Sequence, residues 1–218
     1  MQILSHIRTT LPIFGVKDSL KEVIRFFKDT TFSHVAVTEG NNFLGVLGEI
    51  DLQNFEPDKK ISDYRYSLES FMVRKDTSWL DVLEVFARNE ANLIPVLDEK
   101  DMILGYYDLT DIVGVFISTP FFTDPGAILV IEKGIKDYSF SEIAQIVEGS
   151  NVKLMGGFIT GIRNDVVEVT IKIGNEQLND VMQTFRRYNY TIIYGNTDDQ
   201  FLEDLKERSD YLDKYLNV

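Results

Sequence analysis

Apolar residues recur at helical spacing in two stretches of the first half of the chain: Leu20, Val23, Ile24 and Phe27, then Trp79, Val82, Leu83 and Phe86. Positions i, i+3, i+4 and i+7 share one face of a helix, so each stretch predicts an amphipathic helix. Asp18 and Ser19 precede the first and Thr77 and Ser78 the second, where hydroxyl or carboxylate oxygens act as N-caps. Two short apolar runs follow each helix and predict strands. In the first copy these are Val35-Ala-Val37 and Phe43-Leu-Gly-Val-Leu47, joined by Gly40-Asn-Asn42; in the second, Ile94-Pro-Val-Leu97 and Met102-Ile-Leu-Gly-Tyr106, joined by Asp98-Glu-Lys-Asp101. Both joints carry hairpin-turn chemistry. A second helix is expected to begin near Glu49 and near Leu109.

The two halves of this region repeat. A shift of 60 residues without a gap aligns Leu20 with Leu80, Phe26 with Phe86, Leu44 with Leu104, Gly45 with Gly105, Asp51 with Asp111 and Leu52 with Ile112. Leu-Gly followed six residues later by Asp-aliphatic, in both copies, marks a duplication. One β-α-β-β-α unit of this size cannot cover its own sheet. Two units packed together can, and they leave clefts at the shared interface.

From about residue 126 the pattern changes. Ala127-Ile-Leu-Val-Ile131 reads as a central strand, and Phe140, Ile143, Ala144 and Val147 as a helical stripe. Lys153 to Ile162 reads as a strand interrupted by Gly156-Gly157, and Arg163-Asn-Asp165 as a turn. Val167, Val169, Ile171 and Ile173 alternate with polar residues, a strand with one buried face. Leu178, Val181, Met182 and Phe185 give another helix, and Thr191 to Tyr194 a last strand. The order β-α-β-β-α-β is the ferredoxin-like split unit. Residues 198 to 218 read as an amphipathic helix with Phe201, Leu205, Leu212 and Leu216 on one side. The expected division is therefore 1–56, 57–120, 121–197 and 198–218, in an α+β chain.

Composition narrows the function. Lys and Arg number 22 against 35 Asp and Glu, a net charge of −13, so nucleic acid and anionic membranes are disfavoured partners. Without Cys there is no disulfide, thiolate metal site or cysteine nucleophile, which fits a cytoplasmic location. Met1 to Arg8 lacks a signal-peptide pattern, and Ile112 to Phe122, broken by Pro120, is too short to span a bilayer. Two His, no P-loop and no G-x-G-x-x-G after a strand leave little for nucleophilic, zinc or dinucleotide chemistry, so no catalytic residue and no metal ligand is assigned.

These motifs resemble a pair of cystathionine-β-synthase-type (CBS) repeats, the Bateman module. Leu93-Ile-Pro-Val-Leu-Asp98 and Met102-Ile-Leu-Gly-Tyr-Tyr-Asp-Leu-Thr-Asp111 are similar to the family's strand and Gly-to-Asp segments. His34-Val-Ala-Val37 and Phe43-Leu-Gly-Val-Leu-Gly-Glu-Ile-Asp51 match them in the first copy, and Ser62-Asp-Tyr with Phe71-Met72 resembles the lead-in to a second repeat. The resemblance covers about residues 1 to 118. It implies a cleft in which the closing Asp binds the ribose hydroxyls of an adenine nucleotide. Asp51 and Asp111 are then the ribose candidates, Gly45 and Gly105 the close-approach positions, and His34, Ile94 and Asp108 further cleft candidates. A carboxylate accepts two hydrogen bonds from a diol, and Gly lets backbone approach a ligand. The family's Ser/Thr is replaced by Gly48 and Asp108, and its Arg by Ser33 and Leu93. Both clefts are therefore poor for di- and triphosphates, and a nucleoside, a monophosphate, S-adenosylmethionine or an empty cleft fits better. Asp51 and Asp111 equally suit helix capping, His34 an ordinary interface position, and Arg74-Lys75 a solvated turn.

The C-terminal unit after a CBS pair resembles an ACT domain, and the three-part order resembles acetoin-utilization protein B-like chains. Gly149-Ser-Asn-Val152 carries Asn151 over as an amino-acid-site candidate, although the family's Asp-x-x-Gly turn is not kept in Asp137-Tyr-Ser-Phe140. A ferredoxin-like domain used for dimerisation is the alternative. Together the features describe a soluble, cytoplasmic, non-catalytic regulator: a homodimeric sensor of an adenosine-type small molecule that acts on an unidentified protein. The competing reading is an interaction subunit with vestigial clefts, and the third an enzyme of unknown class.

Overall fold

The computed structural model of the protein describes residues 3–195; the expected helix over 198–218 lies outside them. The chain divides into two compact units, Met1–Ile117 and Ser118–Val218.

The first unit holds two copies of one motif. In the first, strand β1 (Phe14–Gly15) leads into helix α1 (Leu20–Asp29), then strands β2 (His34–Glu39) and β3 (Asn42–Gly48). In the second, β4 (Val73–Arg74) leads into α2 (Trp79–Arg88), β5 (Leu93–Leu97), β6 (Ile103–Asp108) and α3 (Leu109–Ile117). Each copy forms a three-stranded sheet, β1-β2-β3 and β4-β5-β6, with the first pair parallel and the second antiparallel. Ser19 and Ser78 cap the helices by accepting the Lys21 and Asp81 amides. The expected apolar faces are buried: Leu20, Val23 and Phe27 on α1, Val82 and Phe86 on α2.

The copies do not superpose at one constant shift. The helices and first long strands match 59 residues apart: Leu20 with Trp79, and Val37, opposite Gly45, with Val96, opposite Gly105. The second strands and the residues just after them match at 60, as Gly45 with Gly105 and Glu49 with Leu109. The extra residue sits in the longer β5–β6 turn, where Asp101 takes φ +62 and Asp98 Oδ1 accepts the Lys100 and Met102 amides. The gapless register therefore fails in the helices, and burial says why: Leu80 is 59% exposed, whereas Leu20 is fully buried. A second departure follows β3. Instead of an α-helix beginning near Glu49, Ile50–Asn54 form a short 3-10 helix. Pro57 lacks an amide donor and pushes its predecessor toward extended backbone, so no helix runs on past Phe55.

Ser33 and Asn92 hold equivalent places and join the copies. The Ser33 amide donates to Asn92 Oδ1 at 2.8 Å and the Asn92 amide donates to Ser33 Oγ at 2.9 Å. The Glu49 amide donates to the Ser33 carbonyl and the Leu109 amide to the Asn92 carbonyl, a further matched pair. Ala36, Leu93 and Tyr106 form a buried cluster drawn from both copies.

The second unit begins with a short helix α4 (Pro120–Thr123), then runs β7 (Ala127–Gly134), α5 (Phe140–Gly149), β8 (Leu154–Arg163), β9 (Val166–Ile173), α6 (Leu178–Arg187) and β10 (Thr191–Tyr194). The sheet order β10-β7-β9-β8, antiparallel throughout, is the ferredoxin-like topology expected from the sequence. Val167, Val169, Ile171 and Ile173 pack with Leu129 and Ile131 against Ile143, Val147, Val181 and Phe185 of the helices. Asn164 and Asp165 both have positive φ, the conformation of a tight hairpin turn. Lys133, Glu142 and Tyr190 tie β7, α5 and the residue before β10 together: Lys133 Nζ lies 2.6 Å and Tyr190 Oη 2.7 Å from Glu142 Oε2. Among the described residues no helix is long and apolar enough to cross a membrane.

Candidate functional site

The chain's own lead-in segments shape the two clefts. The segment ahead of the first copy lies on the second: Arg8 and Tyr106 exchange two main-chain hydrogen bonds, of 2.8 and 3.0 Å. The segment ahead of the second lies on the first, where Glu69 and Val46 exchange two of 2.9 Å. Val46 follows Gly45 and Tyr106 follows Gly105, so Arg8 and Glu69 occupy equivalent positions with opposite charge. This crossing explains the two glycines. A Cβ on Gly45 would sit 2.7 Å from the Glu69 carbonyl oxygen, and one on Gly105 2.5 Å from that of Arg8. Both glycines admit a close approach, and the approaching backbone is the chain's own.

In the first copy, a cavity of about 230 Å³ is lined by Ser33, His34, Gly48, Glu49, Ile50, Asp51, Glu69, Asn89 and Glu90. Asp51 is half-buried and takes no hydrogen-bond partner among the described residues, so it does not cap the 3-10 helix on which it lies. His34 is buried and held at both nitrogens: Nδ1 lies 2.8 Å from Ser33 Oγ and Nε2 lies 3.3 Å from Glu69 Oε1. Because a carboxylate only accepts, the matching tautomer carries its proton on Nε2, and Ser33 donates to Nδ1 while accepting the Asn92 amide. Burial lowers the His34 pKa more than Glu69 and Asp51 raise it, so the ring is neutral at neutral pH. Gly48 leaves room where a side chain would meet Asp51 and His34, 3.3 and 3.4 Å from its Cβ. An apolar hollow of about 540 Å³ adjoins, sharing Ser33 and Glu90 and adding Leu83, Phe86, Ala87, Ala91, Asn92 and Leu109.

The second copy is built differently. Asp111, in the first turn of α3, is bound by Arg8 through Nε at 2.7 Å and Nη2 at 2.9 Å. Asp108 caps α3 by accepting the Thr110 amide at 2.7 Å, and its other oxygen lies 3.1 Å from Arg8 Nη2. The guanidinium holds the Asp111 carboxyl below its usual range, and the carboxyl in turn raises the arginine. Ile94, expected in the cleft, has its side chain wholly buried in the core with Val73, Val82 and Phe86. The equivalent of His34 is instead Leu93, since His34 faces Gly48 and Leu93 faces Asp108.

Arg74 reaches the Asp98 carbonyl and the Asp101 carboxylate, and Lys75 pairs with Glu99, so both belong to the β5–β6 turn. Asn151 has φ +56 and ends α5 as a left-handed cap, with the Val152 amide returning to the Val147 carbonyl. Arg8, Glu69, Asn89 and Glu90 escaped sequence reasoning, because the first two reach across from the opposite copy and the others end a helix of it. Among the described residues no group of three or more His, Asp or Glu is arranged to hold a metal ion.

The CBS domain family model matches the chain twice, over residues 4–57 and 61–118, and the chain belongs to this family. Among solved structures it is similar to a CBS domain pair/ACT domain protein from Thermotoga maritima (18% identity over 54% of this chain and 97% of that one, TM-score 0.48). It is also similar to the CBS domains of a transcriptional regulator from Streptococcus pneumoniae (15%, 52% and 98%, 0.46) and to CBSX2 in complex with AMP (13%, 53% and 96%, 0.43). No curated protein matches the chain.

Proposed function

We propose that the chain is a non-catalytic sensor whose first cleft, at Asp51, takes an adenosine-type small molecule without a polyphosphate tail. The carrying observation is the Asp51 carboxyl, without a hydrogen-bond partner among the described residues, at the wall of a cavity next to an apolar hollow. A ribose diol donates two hydrogen bonds to one carboxylate, and a purine ring covers apolar surface. Glu49, Asp51, Glu69 and Glu90 line the same cavity and disfavour phosphate, so adenosine, or S-adenosylmethionine with its cationic sulfonium, fits better than ATP. Occupancy shifts the regulated partner's state only if the ligand prefers one arrangement of the protein over another.

The test is thermal unfolding with adenosine, S-adenosylmethionine, AMP and ATP. Adenosine or S-adenosylmethionine at about a hundred times its Kd stabilises by roughly 2.7 kcal/mol, ATP does not, and Asp51→Asn removes the effect. Stabilisation by none of the four at millimolar concentration ends the proposal.

For the ferredoxin-like unit the same reading holds either an amino-acid site that includes Asn151 or a contact with a second copy. The exposed apolar side chains Phe158, Ile159 and Ile162 along β8 favour the second. The likeness to acetoin-utilization protein B-like chains rests on the three-part order alone. An interaction subunit with vestigial clefts is the alternative, favoured by Arg8 already pairing with the Asp111 carboxyl. It predicts that Asp51→Asn leaves partner binding intact.

A further inference from the structure

We infer that Arg8 fixes the number of ligand sites: its guanidinium occupies the carboxyl pair of the second cleft and holds that cleft shut against the nucleoside the first admits. The inference rests on the reading of the Asp51 cleft as a nucleoside site.

Arg8 and Glu69 sit at equivalent points of the crossed lead-in segments, each fixed by two main-chain hydrogen bonds to the strand it crosses. Their side chains give opposite outcomes. Glu69 turns to His34 and cannot pair with Asp51, which has no hydrogen-bond partner among the described residues and lines a cavity. Arg8 presents parallel N–H donors to Asp111, at 2.7 and 2.9 Å. A vicinal diol offers a carboxylate the same pair of donors, so guanidinium and ribose compete for the same oxygens. Asp108 offers no substitute, because one oxygen caps α3 and the other faces Arg8. The competition is intramolecular, and Arg8 has a high effective concentration because its backbone is already in place.

The test is isothermal titration of the full chain with adenosine, comparing wild type, Arg8→Ala and Arg8→Gln, each also carrying Asp51→Asn or Asp111→Asn. Arg8→Gln keeps a donor for Asp111 should the smaller side chain loosen the fold, and circular dichroism melting confirms that each variant is folded. The expected result is that an Arg8 variant gains a site absent from wild type, raising the stoichiometry from about one to about two per chain. Asp111→Asn removes the new site and Asp51→Asn does not. Folded Arg8 variants that bind no more adenosine than wild type overturn the inference, as does a wild-type chain that already binds through Asp111. A wild type that binds none, with an Arg8 variant that binds through Asp111, upholds the role of Arg8 and removes the Asp51 reading. One site at Asp51 in every chain does the reverse.

Discussion

Ser33 and Asn92 are the same position of the two repeats, and each supplies the other's missing hydrogen bond: amide to Oδ1 at 2.8 Å, amide to Oγ at 2.9 Å. Asn92 Nδ2 also donates to the Thr31 carbonyl at 2.7 Å. Asn92→Ala strips the Ser33 amide and the Thr31 carbonyl of partners. We expect a loss of about 1–3 kcal/mol, read as a lower urea midpoint. With Ser33→Ala the two changes are non-additive by roughly 0.5–3 kcal/mol in a double-mutant cycle. Additivity would mean that the pair does not join the repeats.

Gly45, Gly105 and Gly114 separate three roles for one residue type. Gly114 lies in α3, where an added methyl meets nothing within 4 Å, so Gly114→Ala raises stability by about 0.5–1 kcal/mol through helix propensity. Gly45→Ala drives a methyl to 2.7 Å from the Glu69 carbonyl oxygen and lowers stability by about 1–3 kcal/mol. Gly105→Ala is worse than Gly45→Ala, because the contact is 2.5 Å and φ is +146. The order of thermal midpoints is therefore Gly114→Ala, wild type, Gly45→Ala, Gly105→Ala.

Periodicity revealed both helices, both hairpins and the whole ferredoxin-like order, because burial on one face leaves a repeat in the sequence. It misjudged the register of the duplication: leucines are common enough that Leu20 finds Leu80 by chance, and only burial selects Trp79. The candidate site was half legible. Asp51 and Asp111 stand at matching ends of matching motifs, yet what distinguishes them, Glu69 against Arg8, comes from segments crossed between copies. No spacing rule relates residues brought together by such a crossing. Ile94 lies one residue out of phase with Leu93, the equivalent of His34, and its side chain joins the core of Val82 and Phe86, because successive strand residues face opposite sides.

His34 is expected to make the stability of the first unit depend on pH. Burial is the largest influence on its ring and lowers the folded-state pKa, with Ser33, Glu69 and Asp51 the polar groups facing it. Below the ordinary value of 6.5 the unfolded chain binds the proton more readily than the folded one. Stability is thus fully present above 6.5 and declines as pH falls from there through the lowered pKa. His34→Leu, the residue the second copy carries at Leu93, should flatten the change in urea midpoint between pH 7.5 and 5.5, values bracketing the imidazole range. An unchanged slope would assign the pH response to other groups.

Tyr106 and Tyr107 are adjacent, both buried, and opposite in what their hydroxyls do. Tyr106 Oη accepts the Ala36 amide at 3.0 Å and donates to the Pro12 carbonyl at 2.7 Å, joining β6 to β2 and to the segment before β1. Tyr107 Oη is buried with no partner among the described residues. Burial raises both phenols, so neither ionises near neutral pH and charge plays no part in the comparison. Removing the Tyr106 hydroxyl orphans a buried amide and a carbonyl, and Tyr106→Phe is expected to lower stability by about 1–3 kcal/mol. Removing the Tyr107 hydroxyl deletes a polar group that folding desolvated without compensation, so Tyr107→Phe leaves stability unchanged or raises it by up to ~1 kcal/mol. Paired urea titrations of the two variants decide the matter: equal losses would mean that Tyr107 has a partner in solution, such as a buried water, that the Phe variant also loses.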